Sequence, residues 1–193
     1  TSAADVGKMA FVPYTADYGT VTAFDTAKAV LLCTALASVA GFYAYKNGVE
    51  GQFLLRLFIA ALLVRMVLAT AIFVFRGQDF FGGDAITYDY FGQAQLYGWW
   101  GDKYYQSIAN RFVVGGEGSG WGMVYLVASV YALVGRNMLA VQLMNAVLGA
   151  ATAVIIYLCA HQVFKNVKVA RVAGFAVAFY PSLVLWSSQG LKD

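Results

Sequence analysis

The sequence predicts an all-α integral membrane protein with about four transmembrane helices and a large external loop that carries interfacial helices. Hydrophobic residues make up 61% of the 193 residues, and the mean hydropathy is +0.65, above the roughly 45–50% apolar content of soluble domains. Several nearly continuous apolar runs approach the roughly 20 residues that cross a bilayer, and a soluble domain of this size could not bury them all. The polar, aromatic segment between these runs must lie outside the hydrocarbon.

The charge pattern excludes nucleic acid as a partner. Only 12% of the residues are charged, and the formal net charge of +3 comes from scattered Lys and Arg rather than from a basic block. Cys33 and Cys159 lie within apolar runs without metal-ligand spacing, so they are interpreted as small hydrophobic residues. His161, alone at the end of an apolar run, is interpreted as an interfacial residue.

Four apolar runs predict the membrane spans. They are Ala29–Tyr45, Phe53–Phe75, Met138–Phe164 and Val172–Trp186. We expect a kink in the last run, because it contains Pro181. A further run, Met123–Val134, is too short for a normal span, so we expect it to be re-entrant or juxtamembrane.

The positive charges predict the orientation in the membrane. Lys165, Lys168 and Arg171 form the clearest cluster, which we expect on the cytoplasmic side. Asp84 and Asp193 then both lie near the outer surface. The chain is thereby divided into an N-terminal external segment 1–26, an extra transmembrane helix with a cytoplasmic turn 27–52, and a membrane module 53–193 with its external loop at 77–137.

Asp84 has two interpretations from its surroundings. It follows two glycines and precedes apolar residues at helical spacing, at Ile86, Tyr90, Ala94 and Tyr97. This pattern favours an N-cap at the start of an interfacial helix. A carboxylate at the mouth of a membrane cavity is also suited to act as a general base, because partial desolvation raises its basicity.

Other polar residues suit a phosphate or a cavity. Basic side chains on the outer side are suited to neutralise a lipid-linked phosphate or simply to face solvent and headgroups, at Lys103, Arg111 and Arg136. Arg65 lies in mid-span, where a charge is costly, so we expect it to face the protein interior or a water-filled cavity. Gln142 and Asn145 are interpreted as hydrogen-bonding groups between helices or as lining the same cavity.

Three stretches in order carry a resemblance to a known family. Gly83-Asp84-Ala85-Ile86-Thr87-Tyr88 followed by Ala94 resembles an Asp-(Glu)-x-x-Tyr-x-x-x-Ala pattern. Gly135-Arg136-Asn137 with Gln142-Leu143-Met144-Asn145 resembles Gly-x-Ser followed by Arg-Leu-x-Asn. Phe179-Tyr180-Pro181-Ser182 and Ser187-Ser188-Gln189-Gly190-Leu191-Lys192-Asp193 resemble Pro-Ser followed by Leu-x-Asp. With the internal Arg65, the region Leu54–Asp193 resembles the start of the GT-C glycosyltransferases, especially protein O-mannosyltransferases and the bacterial lipid A aminoarabinose transferase.

The resemblance implies a membrane enzyme that transfers a sugar from a polyprenyl-phosphate donor to a hydroxyl acceptor on the outer side of the membrane. Asp84 would be the general base. Asp193 would hold the donor phosphate directly or through a divalent metal ion, on which family members differ, and Arg111 and Arg136 would assist it. The cavity would be lined by Arg65, Tyr88, Gln142 and Asn145. The expected partners are the lipid bilayer, the polyprenyl-phosphate-linked sugar and further membrane protein subunits, in a bacterial inner (plasma) membrane.

Departures from the family pattern keep other functions open. Ala85 replaces the second acid, Gln142 replaces the usual Arg, and these enzymes continue for several more spans beyond the position of Asp193. The chain is then a fragment, a short protein completed by a partner, or a non-catalytic descendant. The alternative function is a structural or accessory subunit of a larger membrane complex that keeps a truncated GT-C-like fold. A transporter or channel is the third class, with Arg65 lining its pathway.

Overall fold

The structure, a computed structural model, describes residues 23–46, 50–75, 84–114 and 121–190, with the side chains of 84, 113 and 114 left out. Helices dominate these ranges, and no strand occurs within them. The helices are α1 (Ala23–Lys46), α2 (Gly51–Val74), α3 (Asp84–Trp99), α4 (Lys103–Val114), α5 (Trp121–Val134), α6 (Met138–Phe164), α7 (Val167–Phe179) and α8 (Pro181–Ser187).

The predicted apolar spans are present. Helices α1, α2 and α6 are each long and apolar enough to cross a membrane, and α7 with α8 forms a fourth candidate that is bent by 53°. The bend falls at Pro181, where the sequence predicts a kink. Helix α5 is apolar but has only 14 residues. Its buried side chains pack against Ala29 near the start of α1 and against Ala140 and Met144 near the start of α6.

Two helices begin five or six residues before the predicted runs, and α2 begins two residues before its run. Helix α1 begins at Ala23, inside the predicted external segment 1–26. Its polar first turn is stabilised by a 2.8 Å ion pair between Lys28 and Asp25. The negative charge of Asp25 also interacts favourably with the positive end of the helix dipole. Helix α7 begins before the predicted Val172 because the Asn166 side chain accepts hydrogen bonds from the backbone amides of residues 168 and 169.

One end of the helix bundle, here called the Asn137 end, collects the starts of α1, α3 and α6 and the end of α2. Asn137 Nδ2 donates to the backbone carbonyl of Asp25 at 3.1 Å, which joins the starts of α6 and α1. Ala85 of α3 packs with Met138 of α6 and Phe73 of α2. Helix α3, which belongs to the predicted external loop 77–137, therefore begins at this end.

The opposite end, here called the Glu50 end, joins the start of α2 to α6 and α7. Glu50 accepts hydrogen bonds from Arg171 of α7 and from the Tyr157 hydroxyl of α6. Arg171 also stacks over the ring of Phe53 at 5.0 Å. Because α1 and α6 run from the Asn137 end to the Glu50 end and α2 and α7 run back, the four predicted spans alternate in direction.

Helix α6 occupies the centre of the bundle and packs against α1, α2 and α7. Small residues allow these helices to approach closely. A Cβ added at Gly174 of α7 would lie 3.0 Å from Leu57 of α2 and 3.4 Å from the carbonyl of Ala153 of α6. Helix α3 packs against α5 in the same way, since a Cβ at Gly92 would lie 2.4 Å from Val127.

Candidate functional site

The two segments that carry the predicted acids meet at the Asn137 end. Helix α3 begins at Asp84, and a Cβ added at Gly190 would lie 4.0 Å from Cβ of Ala85 and 3.7 Å from the Val141 side chain. Gly190 is the last described residue and precedes Asp193 by three positions. The Asp84 side chain and Asp193 both lie outside the described residues, so their roles stay predictions.

The Gly135–Asn137 linker turns the chain sharply from α5 into α6. Gly135 has a φ of +83°, a conformation that favours glycine. Asn137 then caps α6, since its side-chain oxygen accepts from the amide of Leu139 at 3.0 Å. The turn places Arg136 beside α3.

Arg136 forms an ion pair with Asp89 of α3. Its Nε lies 3.2 Å from Asp89 Oδ2 and 3.3 Å from Oδ1, and its Nη2 also donates to Oδ2. The Tyr131 hydroxyl of α5 donates to Oδ1 of the same carboxylate. The Asp89 side chain is 5% exposed, whereas that of Arg136 is 21% exposed. A carboxylate with two such partners is satisfied on both oxygens, and the cluster ties α3 to the end of α5.

Asp89 is a residue that the sequence reasoning missed as part of the site. It lies one helical turn after Ala85, so both residues share one face of α3. Ala85 faces the bundle and is buried. A helix that buries Ala85 also buries Asp89, and a buried carboxylate needs a cationic partner. That spacing is the signal available in the sequence.

Arg65 is buried within the bundle, with 1% of the residue exposed. Its guanidinium donates to the Ser187 hydroxyl and to the backbone carbonyls of residues 61, 177 and 178, at 2.8, 3.1, 3.3 and 2.7 Å respectively. The expectation that this charge faces the protein interior and has polar partners is therefore confirmed. Its role in lining a cavity stays a prediction.

Buried amides continue the polar zone along α6. Asn145 donates from Nδ2 to the carbonyl of Gln189 at 2.8 Å, which ties α6 to the segment after α8. Gln142 and Gln189 are fully buried, and no hydrogen bond reaches their amide groups from the part of the chain that the structure describes. Each of these amides can both donate and accept. Asn145 thus acts between segments, as one of the two interpretations of it expects.

The remaining predicted residues lie on α3 and α4. Tyr88 is half-buried, and its ring meets that of Phe112 edge-on at 6.4 Å. Arg111 is exposed in the last turn of α4, and Lys103 is exposed at its start. Their positions leave them accessible to solvent or headgroups. In the described ranges, no group of three or more His, Cys, Asp or Glu side chains could hold a metal ion, and Asp193 lies outside those ranges.

The Glu50 end also holds a carboxylate that is bound by one arginine and one tyrosine hydroxyl. The hydrogen bond from Arg171, followed by the one from Tyr157, lowers the pKa of Glu50 below its ordinary value of 4.5. The carboxylate therefore stays ionised at neutral pH and pairs α2 with α7. This contact joins α2, α6 and α7 at the end of the bundle opposite to Asp89 and Arg136.

The apolar helices define the chain as a helical integral membrane protein. No protein-family model, curated protein or solved structure matches it. Any more particular function therefore depends on the residues themselves.

Proposed function

We propose that the chain is the membrane module of a GT-C-like glycosyltransferase, which transfers a sugar from a polyprenyl-phosphate donor to a hydroxyl acceptor at the outer membrane surface. In this proposal Asp84 takes the proton from the acceptor hydroxyl. The acceptor oxygen then bonds to the anomeric carbon of the sugar as the bond to the phosphate breaks, and polyprenyl phosphate leaves. The segment that leads to Asp193 would hold that phosphate, with Arg111 at the headgroup level.

One observation carries the proposal. The start of α3 and the segment that ends at Gly190 lie side by side, with 4.0 Å between Ala85 Cβ and a Cβ at Gly190. They are far apart in sequence. Ala85 directly follows Asp84, and Gly190 precedes Asp193 by three positions, and these are the two acids to which the family resemblance gives a role. A base and a phosphate-binding group must act on one bound donor, so they need this kind of proximity.

A second candidate function is a non-catalytic subunit of a larger membrane complex. It is favoured by Arg136, whose guanidinium is paired with Asp89 rather than directed at a phosphate. The guanidinium of Arg65 likewise donates hydrogen bonds to helix carbonyls. Both arginines therefore have structural partners that a subunit without catalysis would also keep.

The test is sugar transfer by the protein reconstituted in liposomes, with polyprenyl-phosphate-linked sugars supplied one at a time and release of polyprenyl phosphate as the readout. The structure places Asp84 as the first residue of α3 rather than as the residue before it. Asp84→Asn keeps the size of the side chain and an oxygen that can accept a hydrogen bond at this helix start, where Asn serves about as well as Asp. Loss of a general base lowers the rate by on the order of 10²–10⁴, so we expect a loss of that size in this variant.

Asp102→Asn is the matched control. Asp102 is exposed in the same external segment, and its Oδ1 accepts from the amides of Tyr104 and Tyr105 at 3.0 and 3.3 Å, as an N-cap does. This variant should transfer sugar at the wild-type rate. A folded Asp84→Asn protein that is also as active as wild type would contradict the base assignment, and a wild-type protein inactive with every donor would favour the accessory subunit.

A further inference from the structure

The elbow between α7 and α8 leaves backbone carbonyls without their helical donors. In a continuous helix the carbonyl of Val177 would accept from the amide of residue 181, but that residue is Pro181, which has no N–H. The carbonyl of Ala178 belongs to the last turn of α7, where carbonyls also lack intrahelical partners. Within an apolar span such groups must be satisfied by other parts of the protein.

Arg65 of α2 supplies these donors. Its Nη1 lies 2.7 Å from the Ala178 carbonyl, and its Nη2 lies 3.3 Å from the Val177 carbonyl. The positive charge of Arg65 also interacts favourably with the negative end of the α7 dipole. These contacts explain why a charge is buried in mid-span. The hydrogen bonds from Arg65 replace the ones that the two carbonyls lack because of Pro181 and the end of α7.

The same guanidinium also holds the far side of the elbow. Arg65 Nε donates to Ser187 Oγ at 2.8 Å, at the end of α8, and the Ser187 hydroxyl donates in turn to the carbonyl of Leu183. Gly149 of α6 provides the space. A Cβ there would lie 2.6 Å from Ser187 Cβ and 2.9 Å from Arg65 Nε. One side chain therefore binds both arms of the 53° bend.

The bend sets the position of the segment after α8. Ser188 and Gln189 are fully buried, and the Gln189 carbonyl is fixed by Asn145. Gly190 then reaches Ala85 at the start of α3. A straight helix through residue 181 would carry this segment in another direction, so its present contact with Ala85 depends on the bend.

We propose that Arg65 is a positioning residue, which fixes the α7–α8 elbow and so places the segment that leads to Asp193 beside the start of α3. The consequence for catalysis rests on the proposed function. The geometric part does not, because it can be measured without any substrate.

The test is disulfide cross-linking between Ala85→Cys and Gly190→Cys, after both native cysteines are replaced by Ala. The Cβ separation of 4.0 Å lies within the range that a disulfide requires, so mild oxidation should cross-link the otherwise unaltered chain rapidly. Arg65→Met keeps most of the side-chain volume but removes every donor. We expect cross-linking on the order of tenfold slower, the factor that loss of a hydrogen bond to a charged group gives.

Arg56→Met is the matched control, because Arg56 lies on the same helix but is exposed near the Glu50 end; its cross-linking rate should equal that of wild type. If Arg65→Met cannot be purified as a folded protein, Arg65→Lys decides the question. The lysine ammonium has three N–H donors on one nitrogen, so it cannot reach all four acceptors that the guanidinium binds, and the cross-linking rate of this variant should fall below wild type. A wild-type rate in the folded Met variant, or in the Lys variant, would overturn the proposal.

A transfer assay separates this inference from the proposed function. If the chain is a transferase, Arg65→Met should raise KM for the polyprenyl-phosphate donor on the order of tenfold with a smaller change in kcat, because the displaced segment is the one assigned to the donor phosphate. An inactive wild-type protein with an Arg65-dependent cross-link would refute the transferase and leave the positioning role standing. An active protein whose cross-linking does not depend on Arg65 would support the transferase and refute the positioning role.

Discussion

The ion pair between Asp89 and Arg136 predicts a large loss of stability when only one partner is removed. In Arg136→Met the carboxylate of Asp89 stays buried, with the Tyr131 hydroxyl as its remaining partner in the cluster. An unpaired charge at a buried position is costly, whereas an exposed ion pair contributes little. The outcome therefore measures how far Asp89 is removed from water.

The magnitude follows from the exposure of the two side chains. Removing one partner of a buried pair costs about 3–5 kcal/mol. Because a fifth of the Arg136 side chain is exposed, water can reach the vacated space, so we expect a loss of about 2–3 kcal/mol. Replacing both partners, as in Asp89→Leu with Arg136→Met, leaves no unpaired charge and should cost less than Arg136→Met alone.

The assay is the free energy of unfolding in bicelles, measured by steric trapping for wild type, both single variants and the double variant. The double-mutant cycle isolates the pair, and we expect a coupling of about 2 kcal/mol. Arg111→Met, at an exposed arginine of α4, is the control and should stay within about 0.5 kcal/mol of wild type. A loss in Arg136→Met as small as that of the control would refute the buried ion pair.

Two further predictions concern the Glu50 end and the elbow. The hydrogen bond from Arg171 is the main cause that lowers the pKa of Glu50 in the folded state. The ionised Glu50 side chain therefore stabilises the fold at pH values above its ordinary pKa of 4.5. This stabilisation is lost as the pH falls through the lower pKa of the folded state. Melting temperatures should place wild type above Glu50→Gln at pH 7, with the gap closing below pH 4.5; a gap that persists in acid would contradict this. Overpacking in Gly149→Ala should lower the free energy of unfolding by about 1–3 kcal/mol. This loss exceeds the gain of about 1 kcal/mol that Ala brings in helix propensity. In Gly122→Ala nothing lies within 4 Å of the added Cβ, so the free energy of unfolding should not fall.

Hydrophobic run length predicts the spans well, because the bilayer imposes it directly. The bounds of α6 are those of the predicted run Met138–Phe164, and the short run before it forms a helix of 14 residues. Polar helix starts were predicted poorly. Ala23 and Val167 begin their helices within polar stretches that local contacts and caps make helical, and hydropathy does not detect such contacts.

The candidate site could be predicted only in part, since side-chain partners distant in sequence leave no spacing signal. The cost of a charge in mid-span predicts that Arg65 is buried, but not which carbonyls it binds. Pro181 is the clue, because a proline in a span always leaves the carbonyl four residues before it without a donor. The sequence predicts that Asp89 is buried but not that Arg136 pairs with it, because that pairing depends on the packing of α3 against α5.

The proposed transferase requires the Asn137 end to face outward, because a site at the outer surface needs both acid-bearing segments there. The most direct measurement is labelling of single cysteines by a membrane-impermeant thiol reagent in intact cells, with both native cysteines replaced. Asn110→Cys lies at an exposed position of α4, and Lys168→Cys lies at an exposed position near the Glu50 end. We expect the reagent to modify residue 110 in intact cells and residue 168 only after permeabilisation. Labelling of residue 168 but not of residue 110 in intact cells would contradict this orientation.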